Sequence, residues 1–299
     1  MPIDFRYHLT SLVAVFLALA LGILLGSNFI AGSSVERQVA KRLEQQFSQL
    51  QAENRSQQRT ISNLNELIRK SEEFERSVLP ALVAGHLAGR RIAIIQAGDY
   101  MEAAQSAKTA LETAGAEVIS VTTISDLSVD SAVTRAARAV ELIAGEYNLR
   151  DPIRRAIEII AKCVVNGSHQ DGIDVLEQKG LIAASGDYNR RVSTVVIVGG
   201  SKDKEDKSSS KVIFVLIDAL KAFNVVAVGC EPYQVGFSSI PTFQKKQIPT
   251  VDNVDMPMGQ VALVFAITEG KGSFGIKKSA EQILPHYFGT KQWRKGYPR

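Results

Sequence analysis

The sequence predicts an α/β protein: an N-terminal single transmembrane helix, a coiled-coil stalk, then a globular domain on a largely parallel β-sheet with flanking helices. Three observations predict it. No charged residue lies between Leu9 and Val35. Apolar residues then recur at steps of three and four through a proline-free stretch from Val35 to Val78. Beyond Gly89, short continuous apolar runs alternate with helical patterns. The chain divides accordingly into an anchor at 1–34, a stalk at 35–80, an α/β domain at 81–288 and a basic tail at 289–299.

The anchor helix is expected over His8–Ala31. Its centre, Leu12-Val-Ala-Val-Phe-Leu-Ala-Leu-Ala-Leu-Gly-Ile-Leu-Leu-Gly26, is almost wholly apolar, and a helix of about 20 such residues crosses the hydrocarbon layer. A cleaved signal peptide fits less well. Asp4 accompanies Arg6 ahead of the span, the apolar core exceeds a signal's h-region, and no small-x-small cleavage site follows. Arg6 on one side is offset by Asp4, and Arg37, Lys41 and Arg42 on the other by Glu36 and Glu44, so flanking charge does not set the orientation. The short N-terminal tail favours an extracytoplasmic body. Ala14, Ala18, Gly22 and Gly26 recur every fourth residue, a small-residue face on which two spans could pair in lipid.

The stalk follows. Leu43, Phe47, Leu50, Ile61, Leu64 and Ile68 keep one heptad register if Asn54 and Gln57 fill the gap. Phe47, Asn54, Ile61 and Ile68 then take a positions, and Leu43, Leu50, Gln57 and Leu64 take d positions. An Asn at an a position favours a parallel dimer in one register, because each Asn must find its partner. The expected product is a homodimer through anchor and stalk that holds the body some tens of ångströms from the membrane. Pro80 is expected to close the stalk.

In the body, Arg91–Gln96 reads as a strand, Met101 to about Ala114 as a helix and Glu117–Thr122 as a second strand. Helical pattern runs from about Val129 to Gly186. Thr194–Val198, Val225–Val228 and Val261–Ile267 read as further strands, with a helix at Lys211–Phe223 between the first two. Continuous apolar strands alternating with helices imply a parallel sheet covered on both faces, here a Rossmann-like domain of about five strands.

Composition narrows the function. The chain has 299 residues, a formal net charge of +4, and 35 basic against 31 acidic residues. The charges are interspersed, without the dense basic footprint of a nucleic-acid binder. The two cysteines, Cys163 and Cys230, end apolar runs and read as buried free thiols, a single disulfide being the alternative outside the cytoplasm.

Ligands on such sheets sit beyond the carboxyl ends of the strands. There the sequence offers Gly98-Asp99, Gly199-Gly200-Ser201 and Gly229–Pro232, but neither a GxGxxG nor a P-loop. The double glycine reads as a turn and Lys202–Lys207 as a solvated loop. His8, His86, His169 and His286 are scattered, and nothing pairs Asp99, Asp126 and Asp187, so a non-enzyme is expected with no assured cofactor. Thiolates and thioethers suit Cu(I). The close-spaced soft donors are Met256 and Met258, flanked by Asp252 and Asp255. An exposed loop with two apolar residues is the plainer reading. The tail Lys291–Arg299 mixes basic and aromatic residues and reads as a loose terminus.

Ile3-Asp-Phe-Arg-Tyr-His8 followed by Leu12–Gly26 resembles the bacterial MctB-type family of copper transport proteins, whose relatives include a corynebacterial cell-separation factor, SteB. The resemblance extends through the stalk to Ile92–Gln96 and Thr194–Gly200. It implies copper homeostasis or transport at the bacterial cell membrane, with copper as the ligand. A single span is not a channel by itself, so the SteB-like alternative, a dimeric tethered scaffold with a cell-division partner, fits the architecture. The bilayer and a second copy are the remaining expected partners, and nucleic acid is not one.

Overall fold

The computed structural model describes residues 5–30 and 34–284, except Ser128, Asn148, Ser168 and Lys207. Ala31, His286 and the tail at 289–299 lie outside the described residues. The chain forms two compact units, Met1–Arg69 and Lys70–Arg299.

The first unit contains helix α1, Phe5–Ile30, and most of helix α2, Ser34–Val83. Among the described residues one helix is long and apolar enough to cross a membrane, over Arg6–Ser27, with a mean hydropathy of 2.5. Its polar side chains bond its own backbone: Thr10 Oγ1 donates to the Arg6 carbonyl and Ser27 Oγ to that of Leu24. Such bonds satisfy hydroxyls where lipid offers no partner. α2 is one continuous helix of 50 residues. It runs past Pro80, the residue expected to close it, and the Ala84 N–H bonds the Pro80 carbonyl at the helix end. Pro80 lacks the N–H that would bond the Arg76 carbonyl, and the helix continues only three residues past it. The residues of α2 beyond 69 belong to the second unit, and Leu79 and Val83 are buried in its core.

The second unit is built on a seven-stranded sheet in the order β3-β2-β1-β4-β5-β6-β7. The strands are β1 (Arg91–Gln96), β2 (Glu117–Ile124), β3 (Ile182–Gly186), β4 (Thr194–Val198), β5 (Val226–Cys230), β6 (Thr250–Val251) and β7 (Ser273–Phe274). Among the described strands, only the pairing of β2 with β3 is antiparallel. Alternation along each strand feeds two cores. Ala93, Ile95, Val195 and Ile197 join one; Ile92, Ile94, Val196 and Val198 join the other. The first core is completed by α4 (Asp130–Ala144), α5 (Pro152–Asn166), α6 (Gln170–Gln178) and α7 (Ser208–Ala222). The second is completed by α3 (Met101–Thr113), α9 (Pro257–Glu269) and the last turns of α2; a short helix, α8 (Ile240–Lys245), joins β5 to β6. Local signals set the helix ends. In α5, the Asp151 carboxylate accepts the Arg154 N–H at 3.0 Å, Pro152 opens the first turn, and Gly167 follows with φ 66°.

Two expectations are corrected. Val261–Ile267, read as a fifth strand, lies within α9. An apolar run of this length has the same pattern in a buried strand and in a helix buried all round. Pro257 in the first turn and Gly270 at φ 71° after the last frame a helix of 13 residues. The sheet also has seven strands rather than about five. β3 closes one edge within what read as helical sequence, and β6 and β7, at two residues each, are too short to show a period.

Candidate functional site

β1 and β4 are neighbours in the sheet, while β2 and β5 lie on their far sides. Chain connections leave in opposite directions there, which opens a crevice beyond the carboxyl ends of the strands. A cavity of about 450 Å³ occupies this place, lined by Gly98, Asp99, Ser125, Asp126, Ser201, Asp206 and Ser209 among others. The floor is close-packed backbone. The Ala97 N–H bonds the Val198 carbonyl and the Asp99 N–H that of Gly200. A Cβ on Gly98 would lie 2.2 Å from the Gly200 oxygen, so the approach requires glycine.

Two carboxylates of this crevice, Asp99 and Asp206, hold neighbouring backbone and hydroxyls. Asp99 accepts the Ser201 hydroxyl at 2.7 Å and the Lys202 N–H at 2.9 Å. Asp206 accepts the Ser208 N–H and hydroxyl and the Ser209 N–H, and so caps α7. Burial opposes its charge, but these hydrogen bonds outweigh it and hold the carboxyl down at about 2. Of the three aspartates singled out in sequence, Asp99 and Asp126 share this cavity. Asp187 follows β3, whose antiparallel course carries it to the other end of the sheet, where it accepts the Asn189 N–H.

A second polar cluster lies at the ends of β5 and β6. Glu231 is fully buried. One carboxylate oxygen accepts the Ser238 hydroxyl at 2.7 Å and the Lys277 ammonium at 2.5 Å, the other the Ser239 N–H at 2.7 Å. Lys277 also donates to the Pro232 carbonyl. Asp252 accepts the Ile276 and Lys277 N–H groups. The loop after β7 is thus latched by both the backbone and the side chain of Lys277. The sequence places Glu231 within the Gly229–Pro232 strand end and Asp252 near the methionines, but nothing in it links them to Lys277, 46 residues beyond Glu231.

Met256 is the N-cap residue of α9 and Met258 lies in its first turn, both half-buried. The flanking acids are engaged elsewhere, Asp252 as above and Asp255 on the Tyr233 N–H. Met101 opens α3 and is exposed. α3 and α9 follow parallel strands on the same face, so both begin at the carboxyl edge of the sheet. The cysteines lie in different cores, both as free thiols. Burial pushes Cys163 up to about 11 and raises Cys230 further, the Glu231 charge adding to the latter. Both resist forming the thiolate a metal needs. His8 is exposed on α1, His86 packs edge-on against Phe265, and His169 precedes α6. Among the described residues, no three His, Cys, Asp or Glu side chains gather as a metal site.

These features define a class: an α/β protein with one candidate membrane span ahead of a mostly parallel sheet. Comparison with known families names it. Residues 2–285 match the model of a family described as copper transport outer membrane protein, MctB, and the chain belongs to that family. A search of curated proteins returns no match.

Proposed function

We propose that this chain serves copper homeostasis as a single-pass, membrane-tethered protein without catalytic chemistry, its α/β body on the extracytoplasmic side. The observation that carries the reading is the unburied apolar helix Arg6–Ser27 in a member of a copper transport family. Both faces of the sheet are covered by apolar cores, which supports a tethered copper-handling body over a pore wall. Soft donors at the carboxyl edge support copper contact there. Met256 and Met258 supply two thioethers and Met101 opens the neighbouring helix.

Titration of the purified protein with Cu(I) under reducing conditions tests the ligand. Stoichiometric binding lost in Met256→Ala/Met258→Ala is expected, and no binding by the unaltered protein would overturn the copper reading. A cysteine at exposed Glu102, labelled in intact cells by an impermeant maleimide, tests the side of the membrane; labelling only after lysis would overturn the orientation. The second reading is a tethered scaffold for cell division or the cell envelope, favoured by the long helix α2. It predicts a function that survives loss of the methionines.

A further inference from the structure

One face of α2 carries six apolar side chains that no described residue covers. Leu43, Phe47, Leu50, Ile61, Leu64 and Ile68 are between 52% and 64% exposed. They share one stripe, with Asn54 and Gln57 at its middle. We infer that the occupant of this stripe is a second copy of the same chain, parallel and in register, tethered in the same bilayer.

The distribution of charge supports self-pairing. Eight charged residues lie between Lys41 and Arg69, and six of them, Lys41, Arg42, Arg55, Arg59, Glu66 and Arg69, fall at the outer b, c and f positions. Across a parallel pair, g residues face e residues five positions on. These pairs are Gln46 with Gln51, Glu53 with Gln58 and Thr60 with Asn65. Two identical helices therefore meet without a like-charge contact. A heterologous helix chosen by e/g charge would find almost none to read.

The stripe is also symmetric along its length. Reversed, Leu43 meets Ile68, Phe47 meets Leu64, Leu50 meets Ile61, and Asn54 meets Gln57. Side-chain type alone would permit an antiparallel pair. The tether removes that choice, since copies anchored by α1 in one bilayer present their stripes in the same direction. Asn54 then faces Asn54 and locks the register. This orientation rests on the membrane-tethered reading; the self-pairing itself does not.

The test uses the full chain in membranes, with single cysteines and a short bismaleimide crosslinker, Cys163 and Cys230 being buried. Leu50→Cys and Ile61→Cys are each expected to convert most of the monomer band to a covalent dimer. Ala52→Cys, at an outer f position, is expected to remain monomeric. Crosslinking of Leu50→Cys no greater than that of Ala52→Cys would overturn self-pairing. Crosslinking only between Leu50→Cys and Ile61→Cys chains would overturn the parallel orientation. Resistance to alkaline extraction reports the anchor separately, so a missing dimer and a missing anchor are told apart.

Discussion

Leucine 50 and leucine 263 are chemically the same residue in two unlike situations. Leu263, in α9, is wholly buried; Leu50, in α2, is 63% exposed. The contrast holds across the two units. In the body, strand and helix side chains close two cores within one chain. In the first unit, Leu12 through Leu25 and the α2 stripe remain open. Exposed apolar stripes of this extent mark surfaces meant for lipid or another protein. The first unit leaves its apolar surface open, whereas the second covers its own.

The comparison can be broken at its strongest point first. Lys277→Ala leaves the Glu231 carboxylate buried without its cation, and breaking one side of a buried pair costs about 3–5 kcal/mol. Urea unfolding of the body should record that loss, and a change within error would mean that the latch is not a structural element. Next comes Leu263→Ala, expected to cost about 2–5 kcal/mol in the same measurement. Leu50→Ala should leave that unfolding transition in place, and a comparable loss there would erase the distinction between the regions.

Leu19→Arg sharpens the membrane side. A charge at the centre of a span costs about 2.5–3.5 kcal/mol of insertion, so the variant should shift toward the soluble fraction on cell fractionation. Smallest is the acid limb of stability. The Asp206 carboxyl titrates lower in the folded chain than in the unfolded one, so its contribution is present above about pH 4 and is lost as pH falls toward about 2. Asp206→Asn keeps an acceptor for the α7 cap and should flatten the acid-side slope between those limits. An unchanged slope would assign acid sensitivity to other groups.

Much of this was legible because local patterns carried it. The candidate span follows from charge-free length. β1, β2, β4 and β5 follow from apolar runs bounded by turn residues, each within a few residues of its observed end. α9 was misread because a helix buried on every side shows no polar face, and only Pro257 and Gly270 marked its ends. β3, β6 and β7 were missed because an edge strand and two-residue strands owe their existence to neighbours already in place. At the candidate site, Gly98, Asp99, Gly199 and Gly200 were placed correctly beyond the strand ends. Their joint packing was not visible, since Gly98 and Gly200 meet only when β1 and β4 pair.

The sequence by itself determined an apolar helix at the amino end, an unbroken helical segment with a heptad stripe, and the alternating strands and helices of an α/β domain. Each of these is written in a short-range period or composition, which the backbone geometry of helix and strand imposes on neighbouring residues. Only the tertiary structure decided the order of seven strands, the assignment of alternate strand residues to two cores, and the latch of Lys277 on Glu231 and Asp252. Those depend on which distant segments lie side by side, and burial raises the energetic stake of a polar contact only after the fold has excluded water from it.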